Sequence, residues 1–374
     1  MTQTQATPRD HLPTADDFLL WPPSLQAWGY RIVDRLFATR TIPAGTARPW
    51  AYGPELALDV DALMERTVLS GVLVIKEGAI RLERYGLGLR PQDRWSTMST
   101  IKSMTALLIG CAVQDGAIAS LEDNVVAYIP GLAGTAYDGV SLRHLLTMSS
   151  GTAWQEVYSD PASHVNQYSR AFAQRRPGGV LALMAGLERA HAPGTSFLYN
   201  SGDTFLLGSA LRAAVGMPLA DYMAARIWQP MGMEFDGFYS LESEGGQEIA
   251  GSRAGMVLRD FGKIAQFVLD DGVIGGRRVL PAGFLNAATT QAFPAAENPR
   301  APGITGYGYS WWLGEGMMSA IGFAGQRIDI FRAERLAVIT LGAFPQPPHA
   351  SEVEEAGRRG AVAGFVQAVR RAVG

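Results

Sequence analysis

Apolar positions along this chain follow two rhythms. Near its two ends they alternate or run together as in strands, and through the middle they recur every three or four residues, as in helices. The run Val72-Leu73-Val74-Ile75, a Glu77-Gly78 turn and the stretch Ile80 to Tyr85 predict a β-hairpin over 71–85. Ile101, Met104, Leu108 and Cys111 then predict a helix over Thr100–Gln114, with Gly116 at its C-terminal cap. Further helices are expected over 141–148, 179–189, 203–215, 218–229 and 260–271, punctuated by Gly216, Pro230 and Gly232. Strands return at Tyr307–Trp312, Met318–Gly322, Arg327–Arg332 and Leu336–Leu341, and a last helix spans Ser351–Val373. The first fifty residues, rich in Pro and Trp, are expected to wrap a larger body, with a helix near Leu25–Phe37. Strands at both ends with helices between predict an α+β fold. Its antiparallel sheet is flanked by helices and built from both ends of the chain (about 1–116 and 250–374). A helical region is inserted at about 117–249, all within one domain over 1–374. No internal repeat, low-complexity tract or heptad pattern interrupts this reading.

Composition narrows the function classes. The 374 residues carry 47% hydrophobic and 18% charged side chains, an ordinary globular balance. A formal net charge of −3 offers no basic field for nucleic acid or an anionic membrane surface. Cys111 is the single cysteine, so no intrachain disulfide can form, and its apolar neighbours mark it as a small buried hydrophobe. His11, His144, His164, His191 and His349 are scattered without metal-ligand spacing, so neither a metal nor another cofactor is expected. Arg9 and Asp10 precede any apolar run, and no stretch of about 18 apolar residues occurs. The expectation is a soluble cytoplasmic protein acting on a small molecule. Of the 32 basic residues only Lys76, Lys102 and Lys263 are lysines, so a lysine at a chemically useful spacing stands out.

Three segments carry candidate chemistry. In Ser99-Thr100-Ile101-Lys102 the serine and lysine lie one turn apart on one helical face. A serine hydroxyl needs a base to take its proton. Lysine can be that base when burial lowers its pKa, whereas arginine cannot. The Ser99 backbone N–H at the helix start can stabilise an oxyanion. The spacing alone fits a helix N-cap and a surface lysine equally well. In Tyr199-Asn200-Ser201-Gly202-Asp203 a tyrosine facing that pair can shuttle a proton, while Ser201 or Asp203 can cap the following helix. Gly322-Phe323-Ala324-Gly325-Gln326 lies between two predicted strands, where glycines permit close approach of a ligand or a simple bulge.

Together, in this order, the three segments resemble the serine β-lactamase-like superfamily, and its class C and esterase branch best. That group has Ser-x-x-Lys, then Tyr-x-Asn or Tyr-x-Ser, then Lys/His-Thr/Gly-Gly on a strand. The segments Trp28-Gly29-Tyr30-Arg31, His144 to Gly151, Tyr199 to Thr204, Ile227 to Met233 and Tyr307 to Trp312 resemble the 6-aminohexanoate-dimer (nylon-oligomer) hydrolase group, over about residues 20–345. The resemblance implies Ser99 as nucleophile, Lys102 as base and Tyr199 as proton shuttle. It implies an oxyanion hole from the backbone N–H groups of Ser99 and Gln326, and Ser201 as a polar partner of Lys102 and the substrate. Trp154, Tyr158 and Asp160, with Phe323 and Gly325, would line the substrate cleft, Asp160 being suited to a substrate amine. Phe323 and Ala324 depart from the family's Lys/His and Thr/Gly, which weakens the expectation of β-lactam recognition.

The leading expectation is a serine hydrolase of small esters or linear amides. The alternatives are a D-amino-acid peptidase, a weak β-lactamase and a non-catalytic binding module. No G-x-S-x-G elbow of an α/β-hydrolase occurs in the chain.

Overall fold

A computed structural model describes residues 12–295, 302–346 and 349–374. Arg9 and Asp10, used above to judge targeting, and His11 lie outside the described residues.

In the N-terminal segment, helix α1 (Pro23–Gly29) begins on a proline at its first turn. The single helix expected over 25–37 is broken here. Gly29 packs so closely that a Cβ would lie 2.7 Å from the Trp21 ring, and the chain turns before a short second helical piece, Val33–Leu36. Strand β1 (Thr39–Ile42) and helix α2 (Val60–Thr67) lead into the predicted hairpin, β2 (Leu69–Lys76) and β3 (Ala79–Tyr85). Its turn residues Glu77 and Gly78 both have positive φ, as a tight two-residue hairpin turn requires.

Helix α3 (Thr100–Gln114) follows, and every residue from Thr100 to Ala112 is buried. Ser103 and Thr105 are accommodated because their hydroxyls donate to the Ser310 and Ala250 carbonyls. The central region contributes α4 (Leu142–Leu146), α5 (His164–Ala173), α6 (Gly179–Ala185), α7 (Ser201–Val215) and α8 (Leu219–Met223), the last running into a π-helical turn at Ala224–Trp228. Strand β4 (Gly237–Ser240) pairs with β1, and two short strands, Gly255–Met256 and Trp95–Ser96, complete a four-stranded sheet.

Helix α9 (Leu258–Leu269) precedes β5 (Trp312–Gly314), β6 (Met317–Ile321), β7 (Arg327–Phe331), β8 (Leu336–Gly342) and α10 (Glu352–Val373). The strand expected over 307–312 is the rim of a hairpin instead. The Gly308 N–H donates to the Trp311 carbonyl, and Ser310 turns with positive φ.

The large sheet runs β5-β6-β7-β8-β2-β3 through its middle, all antiparallel. At the β3 edge the two-residue strand Ala51–Tyr52 adds in parallel. The β2–β8 pairing joins the two ends of the sequence, as expected. Almost every residue of both strands is buried, so both faces are covered. Helix α9 packs on β2 and β8, α2 packs on α10, and α3 lies between α7 and β6. The helix that starts after Ser99 is thus clamped between the sheet and the helical region.

Candidate active site

Ser99 begins α3 without capping it: its hydroxyl makes no N-cap hydrogen bond. Met98 before it is left-handed (φ 44°), while the Thr97 N–H is held by the Ala254 carbonyl. This bend presents Ser99 Oγ to Lys102, whose Nζ lies 3.0 Å away. Lys102 is 2% exposed and also donates to Ser201 Oγ (3.1 Å) and the Gly251 carbonyl (2.5 Å). Burial pulls its pKa down to about 8; the Glu156 charge works against that shift and Arg253 adds to it.

The second segment is held by caps and buried bonds. Asn200, not Ser201 or Asp203, is the N-cap of α7: its Oδ1 accepts the N–H groups of Gly202 and Asp203. Asp203 is fully buried and accepts from Tyr137 OH (2.8 Å) and Asn200 Nδ2 (2.9 Å), and burial raises its carboxyl to about 7. The loop so fixed carries Tyr199, whose ring stacks on Trp312 (centroids 5.4 Å apart) and lies 5.2 Å from Lys102 Nζ. Burial, and then the Glu156 charge, raise its phenol well above the usual range, against the effect of a hydrogen bond with Ser99. Tyr199 is therefore held as a neutral phenol next to both Ser99 and Lys102.

A cleft of about 240 Å³ opens over Ser99. Tyr199, Trp312, Tyr158 and Phe323 form its aromatic walls, and the Tyr158 and Phe323 rings pack 4.8 Å apart. Ile321, Gly322, Gln346, Glu156, Glu355 and Arg359 complete the lining.

Other expected contacts lie elsewhere. Trp154 is buried, stacks on His164 and donates its indole N–H to Glu156. Asp160 is exposed and shapes a turn, accepting the Ala162 N–H at 2.9 Å. Gly325 is directed at Phe344, whose ring a Cβ would approach to 2.7 Å. Gln326 is fully buried and lies off the cleft: its side-chain oxygen accepts from Trp95 Nε1 and the Gly342 N–H, and its carbonyl from the Gly322 N–H. The Gly-rich segment is a tight turn, with Ala324 at φ 61°, so the main chain that reaches the cleft is Gly322–Phe323.

Sequence reasoning passed over Glu156. It lies within the aromatic loop already singled out, and a carboxylate between Trp154 and Tyr158 was the available signal. It accepts from Ser201 Oγ (2.6 Å), the Ser201 N–H (3.1 Å), Tyr158 OH (2.8 Å) and the Trp154 indole. Arg359 and Glu355, an ion pair on α10 at 2.8 Å, were also missed, because nothing in that helix's sequence marks it as a cleft wall. Among the described residues no group of His, Cys, Asp and Glu could hold a metal ion, and no helix is long and apolar enough to cross a membrane.

The family model described as Beta-lactamase matches residues 56–362, which hold all of these groups. The chain belongs to the Beta-lactamase family. It is a serine β-lactamase-family hydrolase, related to aminohexanoate-dimer hydrolases and esterases. It is 25% identical over 347 residues to the 6-aminohexanoate-dimer hydrolase of Paenarthrobacter ureafaciens, covering 86% of each chain. A structure from Bacillus anthracis, described as a candidate 6-aminohexanoate-dimer hydrolase, superposes with a TM-score of 0.81 at 20% identity over 98% of this chain and 99% of that one. A family VIII carboxylesterase superposes at 0.63, with 16% identity over 84% and 99%. These likenesses bear out the α+β, penicillin-binding-protein-like fold expected from the motifs.

Proposed function

We propose that the protein cleaves small esters or linear amides through an acyl-enzyme on Ser99. One observation carries the reading: Ser99 Oγ lies 3.0 Å from a buried lysine amine whose other polar contacts are neutral oxygens. Lys102 takes the Ser99 proton as Oγ bonds to the substrate carbonyl carbon, and a tetrahedral oxyanion forms. The Ser99 N–H is one donor to that oxyanion. The Gly322 N–H is already committed to the Gln326 carbonyl, which leaves the Phe323 N–H as the second donor in place of Gln326. As the carbonyl–leaving-group bond breaks, Tyr199 OH gives its proton to the leaving group and is reprotonated from Lys102. Water then attacks the ester on Ser99, and the same groups return the protons.

The aromatic walls fit an apolar acyl or leaving group. The Phe323 side chain brings no cation or hydrogen-bond donor to the cleft, so a β-lactam carboxylate gains little from that wall.

The test is a panel of short p-nitrophenyl esters, linear amides and nitrocefin. The expected result is ester or amide turnover well above nitrocefin turnover, with the acyl group found on Ser99 by mass spectrometry. Ser99→Ala should abolish turnover and leave the fold intact. Retention of more than about a tenth of wild-type activity would remove Ser99 as nucleophile, since loss of a catalytic nucleophile costs far more than that.

A further inference from the structure

A hydroxyl has one proton to give, and its direction decides what the oxygen offers its other neighbours. Ser201 Oγ lies 2.6 Å from Glu156 Oε1 and 3.1 Å from Lys102 Nζ. Every side-chain or main-chain group bonded to Glu156 is a donor, as a carboxylate requires. The Ser201 proton therefore belongs to Glu156, and Oγ faces Lys102 as an acceptor. The Gly251 carbonyl, 2.5 Å from Nζ, is a second acceptor that cannot donate. A neutral lysine amine has two N–H bonds and one lone pair. With both N–H bonds held by Ser201 and Gly251, the lone pair is left to the third neighbour, Ser99 Oγ.

We propose that Glu156 is a positioning residue that fixes the Ser201 hydroxyl and thereby aims the Lys102 lone pair at Ser99. This rests on the reading of Lys102 as the base. The charge of Glu156 alone works the other way, because an anion near Lys102 favours the ammonium form. The titratable groups acting on Lys102 are Glu156, Arg253 and the Tyr199 phenol; its remaining polar neighbours are neutral. Aim and charge therefore separate in a pH profile. Aim sets the high-pH plateau of kcat/KM, where Lys102 is neutral in every variant, and charge sets the position of the acid limb.

The experiment measures kcat/KM for one p-nitrophenyl ester across pH, using the full chain carrying Glu156→Gln, Ser201→Ala or both. A glutamine amide can donate to Ser201, which frees the hydroxyl to donate to the Lys102 lone pair. Glu156→Gln should therefore lower the plateau about a hundredfold, the scale of a misaligned reacting group, and move the acid limb to lower pH. Ser201→Ala should lower the plateau as well. The double variant should match Ser201→Ala within about twofold, because coupled residues are not additive. Glu156→Asp, still acceptor-only, should regain at least about tenfold over Glu156→Asn; that shorter pair carries the same test should Glu156→Gln not fold. An unchanged plateau in Glu156→Gln, or losses that multiply in the double variant, would overturn the role of Glu156 while leaving Lys102 as base. A fully active Lys102→Ala would overturn both.

Discussion

Lys102 and Arg253 are both buried cations, and they are housed in opposite ways. Lys102 meets an oxygen in each direction that its amine can reach. Arg253, 1% exposed, donates only to Ser169 Oγ at 3.0 Å, and its Nε and Nη1 have no partner among the described residues. Rings surround it instead: its guanidinium carbon lies 4.9, 5.4 and 4.7 Å from the ring centres of Phe18, Phe37 and Phe172. Cation–π contacts reach about 2 kcal/mol each when desolvated, and burying an ion costs several kcal/mol. Three rings therefore offset much of the cost without offering any group to exchange a proton with. Burial lowers both pKa values, Lys102 to about 8 and Arg253 to about 10. Only the first falls where a proton can come and go during turnover. On the proposed reading of Lys102 as the base, oxygen acceptors serve a charge that must be shed, and aromatic faces serve one that must stay.

The largest effect that would break this contrast comes from exchanging the two cation types. Lys102→Arg should cost at least about a thousandfold in kcat/KM on every substrate, because arginine does not deprotonate. Arg253→Lys should stay within about tenfold of wild type, since Arg253 donates only to Ser169 and does not line the cleft. An active Lys102→Arg would end the distinction.

A smaller effect concerns where the lysine's proton goes. Tyr199→Phe should impair amide cleavage more than p-nitrophenyl ester cleavage, by a ratio of about ten or more, because p-nitrophenolate leaves unprotonated. Burst kinetics must follow deacylation separately. Equal losses on both substrates would take Tyr199 out of the general-acid role.

The smallest effects are shifts along the pH axis. Wild-type kcat/KM should rise with pH through about 8 as Lys102 loses its proton. Its folded-state pKa lies below the ordinary lysine value of 10.5, so between about pH 8 and 10.5 the unfolded chain binds more protons. Stability linked to Lys102 therefore increases with pH across that window, and denaturant titrations of wild type against Lys102→Met should show it. Arg253→Met removes a cation that helps hold Lys102 down, so the acid limb should move to higher pH. A shift to lower pH would show that Arg253 acts on the site by another route.

The parts legible in the sequence were those fixed by local rules. The 71–85 hairpin follows from strand runs around a Glu-Gly turn, and α3 from its apolar spacing. Ser99, Lys102 and Tyr199 meet because the first two share one helical turn and the third lies on a capped loop. What escaped depended on distant packing. The break at Gly29 needs the Trp21 ring, and the removal of Gln326 from the cleft needs Trp95 and Gly342 to take its side chain. Glu156 becomes part of the site only because Ser201, 45 residues further on, donates to it. Asp160 looked suited to a ligand from its charge alone, and the turn that it closes at Ala162 depends on how the loop returns into α5.

The central pairing of β2 with β8 has a consequence for how the protein comes to exist. Residues 69–76 leave the ribosome long before residues 336–342. At about 5–20 residues per second, the interval is on the order of tens of seconds. Throughout it, the apolar segment Leu69–Lys76 has only β3 on one side, and the other edge is open to pairing with a neighbouring chain. Contacts so far apart in sequence also close slowly in refolding. Yield in a production host should therefore follow chaperone supply and growth temperature, ahead of the stability of the finished molecule.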